Sequence, residues 1–144
     1  MRNSKPILLI EDDSVDVMTV KRALKDLSIA NTLVHSVNGE EALEYLRNDG
    51  NNEPGIILLD LNMPKMNGIE FLEVVKADKT LKKIPVVVLT TSKNERDILE
   101  TFELSAAGYI VKPADYKKFV ETISVINRYW ALSEIPDGKQ DYGK

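Results

Sequence analysis

The sequence has no cysteine and a single histidine, His35, which excludes several kinds of site. Without thiols there is neither a disulfide framework nor a thiolate metal site, and one histidine cannot form a histidine cluster around a metal. Long hydrophobic runs are also missing. Near the amino terminus only five apolar residues, from Pro6 to Ile10, precede two acids, too few for a signal-peptide core or a membrane span. These absences predict a cytoplasmic protein with no membrane segment.

An excess of basic residues is missing as well. The chain carries 19 Lys and Arg against 23 Asp and Glu, which gives a net charge of -4. Proteins that bind nucleic-acid phosphates present a basic stripe, so this balance predicts no binding to DNA or RNA. What remains is a chain of 144 residues, 43% of them hydrophobic, which is typical of one globular domain.

Short apolar runs recur along the chain and predict a parallel sheet. Four of them are continuous rather than alternating, which is typical of strands buried on both faces. A fifth run is more polar and predicts a more exposed strand at 32–37. The other predicted strands lie at 7–10, 56–59, 86–89 and 109–111.

Between these runs the apolar residues follow helical spacing, as Val17, Val20 and Leu24 do at i, i+3 and i+7. Residues able to cap the first turn precede three of the predicted helices: Asp13, Asn38 and Ser92. Strands and helices that alternate five times predict an α/β fold, a doubly wound parallel sheet with helices on both faces. In such folds a functional site lies at the carboxyl ends of the strands.

Acidic residues follow two of the predicted strands. Glu11 and Asp12 come directly after the first strand, and Asp60 comes directly after the third. If these strand ends lie side by side, the three carboxylates converge, and their repulsion favours a hard cation such as Mg²⁺. The alternative is that Asp12 and Asp13 only cap a helix and that Asp60 is an ordinary loop acid.

A hydroxyl group and an ammonium group are expected at the same edge. Thr90 ends the fourth strand, and Lys112 follows the fifth, directly before Pro113. Both side chains can bind phosphoryl oxygens, and the ammonium offsets the negative charge of the acids. Taken singly, Thr90 is also a common strand-end residue and Lys112 an ordinary surface charge.

Together these segments resemble the receiver domains of bacterial two-component systems, from residue 5 to about residue 128. The resemblance rests on five positions: Glu11 and Asp12 after ILLI, Asp60 in LLDLNMPKMNG, Thr90 after VVVL, and Lys112 in GYIVKP. It implies the flavodoxin-like fold of that family, with five parallel strands in the order 2-1-3-4-5.

The resemblance implies a role for each acidic residue. Asp60 would accept a phosphoryl group from a sensor histidine kinase. Glu11, Asp12 and Asp60 would form the pocket for Mg²⁺, and the backbone carbonyl of Asn62 would be a further ligand. Such a domain catalyses only its own phosphorylation and dephosphorylation, so the chain is not expected to be an enzyme acting on a separate substrate.

The resemblance also assigns the remaining residues of the site. Thr90 would follow the phosphoryl group, Lys112 would pair with it, and Tyr109 would be an aromatic switch residue that moves between outward and inward rotamers. Tyr109 is equally open to interpretation as a half-buried strand tyrosine. In this family the bond between Lys112 and Pro113 would be cis.

The last residues of the chain indicate how the domain would pass on its signal. The sequence is interpreted as a stand-alone receiver domain at 5–130 with a tail at 131–144, so its output would be contact with a downstream protein through helix 4, strand 5 and helix 5. Large apolar groups near the end of the last helix, Tyr129 and Trp130 among them, favour an interface, either a homodimer or a docking site. The alternative is that Trp130 folds back on its own domain.

Segments outside the site suggest one kind of partner. The opening EDDSVDV, the segment NGEEALEYL and the extended end are similar to the small receivers that serve bacterial phytochromes. This similarity implies a phytochrome-type kinase as the partner.

Three other functions fit the sequence less well. A phosphatase of the haloacid dehalogenase type would carry a second Asp where this chain has Asn62. A flavodoxin-like binding module would need a Ser-, Thr- or Gly-rich phosphate loop after the first strand, where this chain has acids. A receiver that only binds partners is disfavoured because every position of the family's site is filled.

Overall fold

In the computed structural model, which describes residues 4–133, strands and helices alternate along the chain. The strands are β1 (Ile7–Ile10), β2 (Leu33–Ser36), β3 (Ile56–Leu59), β4 (Val86–Thr90) and β5 (Gly108–Val111). The helices are α1 (Ser14–Asp26), α2 (Gly39–Arg47), α3 (Gly68–Ala77), α4 (Glu95–Glu103) and α5 (Tyr116–Leu132). A 3₁₀ turn at Leu81–Lys83 precedes β4.

The five strands form one parallel sheet in the order β2-β1-β3-β4-β5. This order confirms the predicted fold. The direction in which strands are added reverses between β1 and β3, where Ile10 pairs with Leu59. Doubly wound sheets bind their ligands at such a reversal, beyond the carboxyl ends of the strands.

Two hydrophobic clusters cover the faces of the sheet. On one face Leu8 and Ile10 of β1 belong to the cluster that includes Phe71 of α3. On the other face Ile7 and Leu9 belong to the cluster that includes residues of α1 and α5. All four residues of β1 are buried because helices cover both faces, which is why this strand is continuously apolar.

The helix starts confirm two predicted caps and correct a third. The side chain of Asp13 accepts hydrogen bonds at the start of α1, and that of Asn38 does so at the start of α2. The predicted cap Ser92 is wrong, because α4 begins at Glu95 and Asn94 caps it. The Ser92 hydroxyl instead donates to the carboxylate of Asp97 at 2.7 Å.

Trp130 lies inside the protein, so its predicted part in an exposed interface is wrong. It follows Ile123 by two helical turns on the buried face of α5 and is 4% exposed. Its ring packs so closely on Gly55 that a Cβ there would lie 2.6 Å from the ring. Tyr129, one residue earlier, is 72% exposed. The tail was predicted at 131–144, but α5 continues to Leu132. The part of that tail from 134 onward lies outside the described residues.

Among residues 4–133 no helix is both long and apolar enough to cross a membrane.

Replacing Trp130 with alanine is expected to lower the free energy of unfolding by about 3–5 kcal/mol, because a buried aromatic ring is lost and a cavity remains. Urea unfolding followed by circular dichroism measures this change. Tyr129→Ala is the matched control and is expected to change stability by less than about 0.5 kcal/mol. Equal losses for the two variants would contradict the packing described here.

Candidate functional site

Three carboxylates meet at the carboxyl end of the sheet. The ligand oxygens of Glu11, Asp12 and Asp60 all lie within 4.8 Å of one another. They converge because β1 and β3 are neighbours, and the Asp60 N–H extends their pairing by donating to the Ile10 carbonyl at 3.0 Å. The structure thus brings together the acids that the strand ends predict.

The cluster is buried on one side and open on the other. Glu11 and Asp60 are buried, whereas Asp12 is exposed. No residue from 4 to 133 donates a hydrogen bond to the carboxylate of Asp12 or of Asp60. Three converging carboxylates repel one another, so this pocket of oxygen ligands with an open side fits a divalent cation such as Mg²⁺.

Lys112 supplies the positive charge of the cluster. Its Nζ donates to Glu11 Oε1 at 2.5 Å and to Asp16 Oδ2 at 2.9 Å. Its backbone N–H donates to the Thr90 carbonyl at 2.8 Å, which fixes the lysine at the end of β5. The contact with Asp16 was not predicted, although the position of Asp16 in the first turn of α1 places it at the same edge.

The electrostatics of the pair follow from its burial. Burial raises the pKa of Glu11 to about 7 against the opposing hydrogen bond and charge of Lys112, and the charge of Asp60 raises it further. Burial alone would lower the pKa of Lys112, but the hydrogen bonds to Glu11 and Asp16 outweigh that effect. The pKa of Lys112 is therefore raised, and its ammonium stays charged at neutral pH.

Thr90 and Tyr109 are joined through Ser92. Thr90 is completely buried, and its hydroxyl oxygen accepts a hydrogen bond from the Ser92 N–H at 3.4 Å. The hydroxyl of Tyr109, which is half-buried, donates to the Ser92 carbonyl at 2.9 Å. Sequence reasoning assigned Ser92 to a helix cap and missed this connection.

The loop after β3 closes tightly on Asp60. The Gly68 N–H donates to the Leu61 carbonyl at 3.1 Å, and a Cβ at Gly68 would lie 2.5 Å from the Asp60 carbonyl oxygen. Asn67 caps α3 in a reciprocal capping box, so the helix begins directly after this loop, at Gly68. Asn62 lies exposed in this loop, and its part in metal binding stays a prediction.

Two further observations concern the neighbours of the site. His35 lies in β2, and its Nε2 donates to the Glu11 carbonyl at 2.6 Å, which ties β2 to the site. The predicted cis bond between Lys112 and Pro113 is wrong, because it is trans. Trans is the more stable form of any such bond by about 0.5–1 kcal/mol.

Comparison with known proteins gives consistent matches. Residues 7–124 match the family model of the response regulator receiver domain. The response regulator Rcp1 of Synechocystis sp. is 39% identical over 130 residues, which cover 88% of each chain.

Two solved structures cover 92% of this chain and 99% of their own, each with a TM-score of 0.84. One is the phosphorylated cyanobacterial phytochrome response regulator RcpA, at 38% identity. The other is the Mn²⁺-bound form of Rcp1, at 36% identity.

Replacing Gly68 with alanine is expected to lower the free energy of unfolding by about 1–3 kcal/mol, because the added Cβ meets the backbone of Asp60 and Leu61. Gly108→Ala in β5 is the control, since the nearest atom to its Cβ lies 3.9 Å away. Urea unfolding is expected to leave that control unchanged or slightly more stable. A Gly68→Ala protein as stable as the control would contradict the tight closure of the loop.

Proposed function

Because this chain belongs to the family of response regulator receiver domains, we propose that it accepts a phosphoryl group on Asp60 from a phosphohistidine of a sensor histidine kinase. The observation that carries this proposal is the cluster of Glu11, Asp12 and Asp60 with the ammonium of Lys112 beside it. A nucleophilic carboxylate, an acidic pocket for a cation and a fixed positive charge are the parts that phosphoryl transfer needs.

In the proposed reaction an Asp60 carboxylate oxygen attacks phosphorus in line with the leaving imidazole. The bond from phosphorus to nitrogen breaks as the bond to Asp60 forms, and an acyl phosphate results. Lys112 would pair with the equatorial oxygens. Asp12, Asp60 and the Asn62 backbone carbonyl would hold Mg²⁺, with Glu11 completing the acid pocket. Bound there, Mg²⁺ would neutralise charge that develops on the phosphoryl oxygens. The side chains contribute position and electrostatics rather than proton transfer.

The signal is reset when water attacks the acyl phosphate. That step breaks the bond from phosphorus to the Asp60 oxygen, releases inorganic phosphate and regenerates the carboxylate. The domain therefore acts on its own phosphorylation state and turns over no separate substrate. We assign the whole cycle to a cytoplasmic receiver domain that begins at residue 5 and extends past the predicted boundary at 130 to the end of α5 at Leu132.

The proposed switch runs from Thr90 through Ser92 to Tyr109. A phosphoryl group on Asp60 attracts the Thr90 hydroxyl. In the unphosphorylated protein the oxygen of this hydroxyl accepts a hydrogen bond from the Ser92 N–H. Movement of Thr90 then disturbs Ser92, whose carbonyl holds the hydroxyl of Tyr109. This hydrogen-bonded route supports Tyr109 as the residue that reports phosphorylation on β5.

The proposed partners follow from the exposed surfaces and from the relatives. RcpA is described as a phytochrome response regulator, which supports a phytochrome-type kinase as the phosphoryl donor here. Downstream protein contact and a homodimer are assigned to the face formed by α4, β5 and α5. Five large apolar side chains are exposed on α4 and α5: Leu99, Phe102, Val125, Tyr129 and Leu132.

Phosphorylation is tested with acetyl phosphate and Mg²⁺, followed by intact mass. We expect the wild type to gain one phosphoryl group, to lose this gain when EDTA removes the cation, and to lose it in Asp60→Asn. Asp49→Asn, in the exposed loop after α2, carries the same charge change and is expected to behave as wild type. The proposal is contradicted if the wild type gains no phosphoryl group from acetyl phosphate with Mg²⁺. It is also contradicted if Asp60→Asn still gains the group.

The dimer is tested by light scattering on gel filtration before and after phosphorylation. We expect a mass increase from monomer toward dimer on phosphorylation, and Phe102→Ala is expected to weaken it because the ring leaves the contact face. Val15→Ala removes an exposed apolar residue of α1, away from this face, and is expected to assemble normally. If Phe102→Ala and Val15→Ala show the same increase in mass on phosphorylation, the dimer does not form through the assigned face.

A further inference from the structure

Lys112 is held by two carboxylates, and the second comes from α1 rather than from a strand end. We propose that Asp16 is a positioning residue that restrains Lys112 while Asp60 is unphosphorylated and releases it when the phosphoryl group arrives. The inference rests on the proposed function of Asp60. It adds a residue outside the five positions that carry the family resemblance.

The two carboxylates differ in how readily they can give up the ammonium. The side chain of Glu11 is 3% exposed, whereas that of Asp16 is 39% exposed. A buried carboxylate that loses its partner keeps a large desolvation penalty, but a partly exposed one regains water. A groove of about 400 Å³, lined by Asp16, Thr91 and Lys112 among others, brings solvent to this side of the pair. Asp16 is therefore the exchangeable partner and Glu11 the permanent one.

The arriving phosphoryl group competes for the same ammonium. An ammonium has three donors, of which Glu11 and Asp16 occupy two, so only one remains for a new acceptor. A phosphoryl group on Asp60 brings between one and two negative charges and three acceptor oxygens to the acid cluster, and a second hydrogen bond from Lys112 to these oxygens needs a donor that is now occupied. Lys112 can keep Glu11 and exchange Asp16 for a phosphoryl oxygen without leaving a buried charge unpaired.

This exchange affects the rate of phosphorylation and the rate of hydrolysis of the acyl phosphate differently. Before phosphorylation the hydrogen bond from Lys112 to Asp16 stabilises the starting state, so loosening it is part of the barrier. After phosphorylation that bond is already absent, so the hydrolysis barrier does not include it. Asp16→Asn is therefore expected to speed phosphorylation about two- to fivefold, the range for a partly exposed ion pair, and to change hydrolysis by less than that.

The matched control is Asp26→Asn. Asp26 lies on the same helix, carries the same charge and also reaches α5, because it accepts a hydrogen bond from the Tyr116 hydroxyl at 2.7 Å. It makes no contact with Lys112. Asp16→Glu is the conservative variant, which restores the carboxylate and is expected to return the phosphorylation rate toward the wild-type value.

The experiment measures four quantities on the full-length protein: the rate of phosphorylation by acetyl phosphate, the rate of loss of the group after donor removal, the Mg²⁺ dissociation constant by calorimetry, and the thermal midpoint. For Asp16→Asn we expect faster phosphorylation and a Mg²⁺ dissociation constant within about twofold of wild type, because Asp16 holds Lys112 and not the cation. A purely structural role would move only the thermal midpoint and leave the phosphorylation rate unchanged. A role in metal binding would instead change the Mg²⁺ dissociation constant.

The outcomes separate this inference from the function on which it rests. If the wild type gains no phosphoryl group, the proposed function fails and the inference fails with it. If the wild type is phosphorylated but Asp16→Asn reacts at the same rate or more slowly, only the inference is overturned. It is also overturned if Asp26→Asn matches Asp16→Asn, or if Asp16→Glu stays as fast as Asp16→Asn.

Discussion

The repulsion among Glu11, Asp12 and Asp60 is the constraint on which the rest of the site depends. Three carboxylates within 4.8 Å of one another, two of them buried, need positive charge from elsewhere in the chain. The protein supplies one positive charge through Lys112 at the end of β5, and the open side of the cluster fits a cation. The parallel sheet makes this possible because all its strands end at one edge.

The position of each strand-end residue could be predicted because it depends only on where continuous apolar runs stop. Asp60 follows β3 and Lys112 follows β5 for that reason, and their convergence follows from the order of the strands. The connection between Lys112 and Asp16 could not be predicted in the same way. It depends on how α1 packs beside β5, a relation between side chains 96 residues apart that no local pattern encodes.

Local errors in the sequence interpretation have local physical causes. Ser92 has the spacing of a capping box with Glu95, but Asn94 is closer to the first turn and takes the cap. Trp130 was placed in an exposed patch by its size and its position near the end of the chain. Its rotation about the helix axis, set by Ile123 two turns earlier, places it in the interior instead. For Trp130, helical periodicity predicts burial correctly, whereas the size and apolar character of the side chain do not.

The hydrogen bond from Lys112 to Glu11 joins residues 101 positions apart, and this has a consequence for how the chain acquires its structure during synthesis. A nascent chain presents Glu11 early, while its counter-charge is added only with the fifth strand. Contacts of such long sequence separation form late, because a large loop must close before they do. The acidic edge therefore lacks its lysine until the last strand joins the sheet, so the repulsion among the acids is first reduced when β5 pairs with β4.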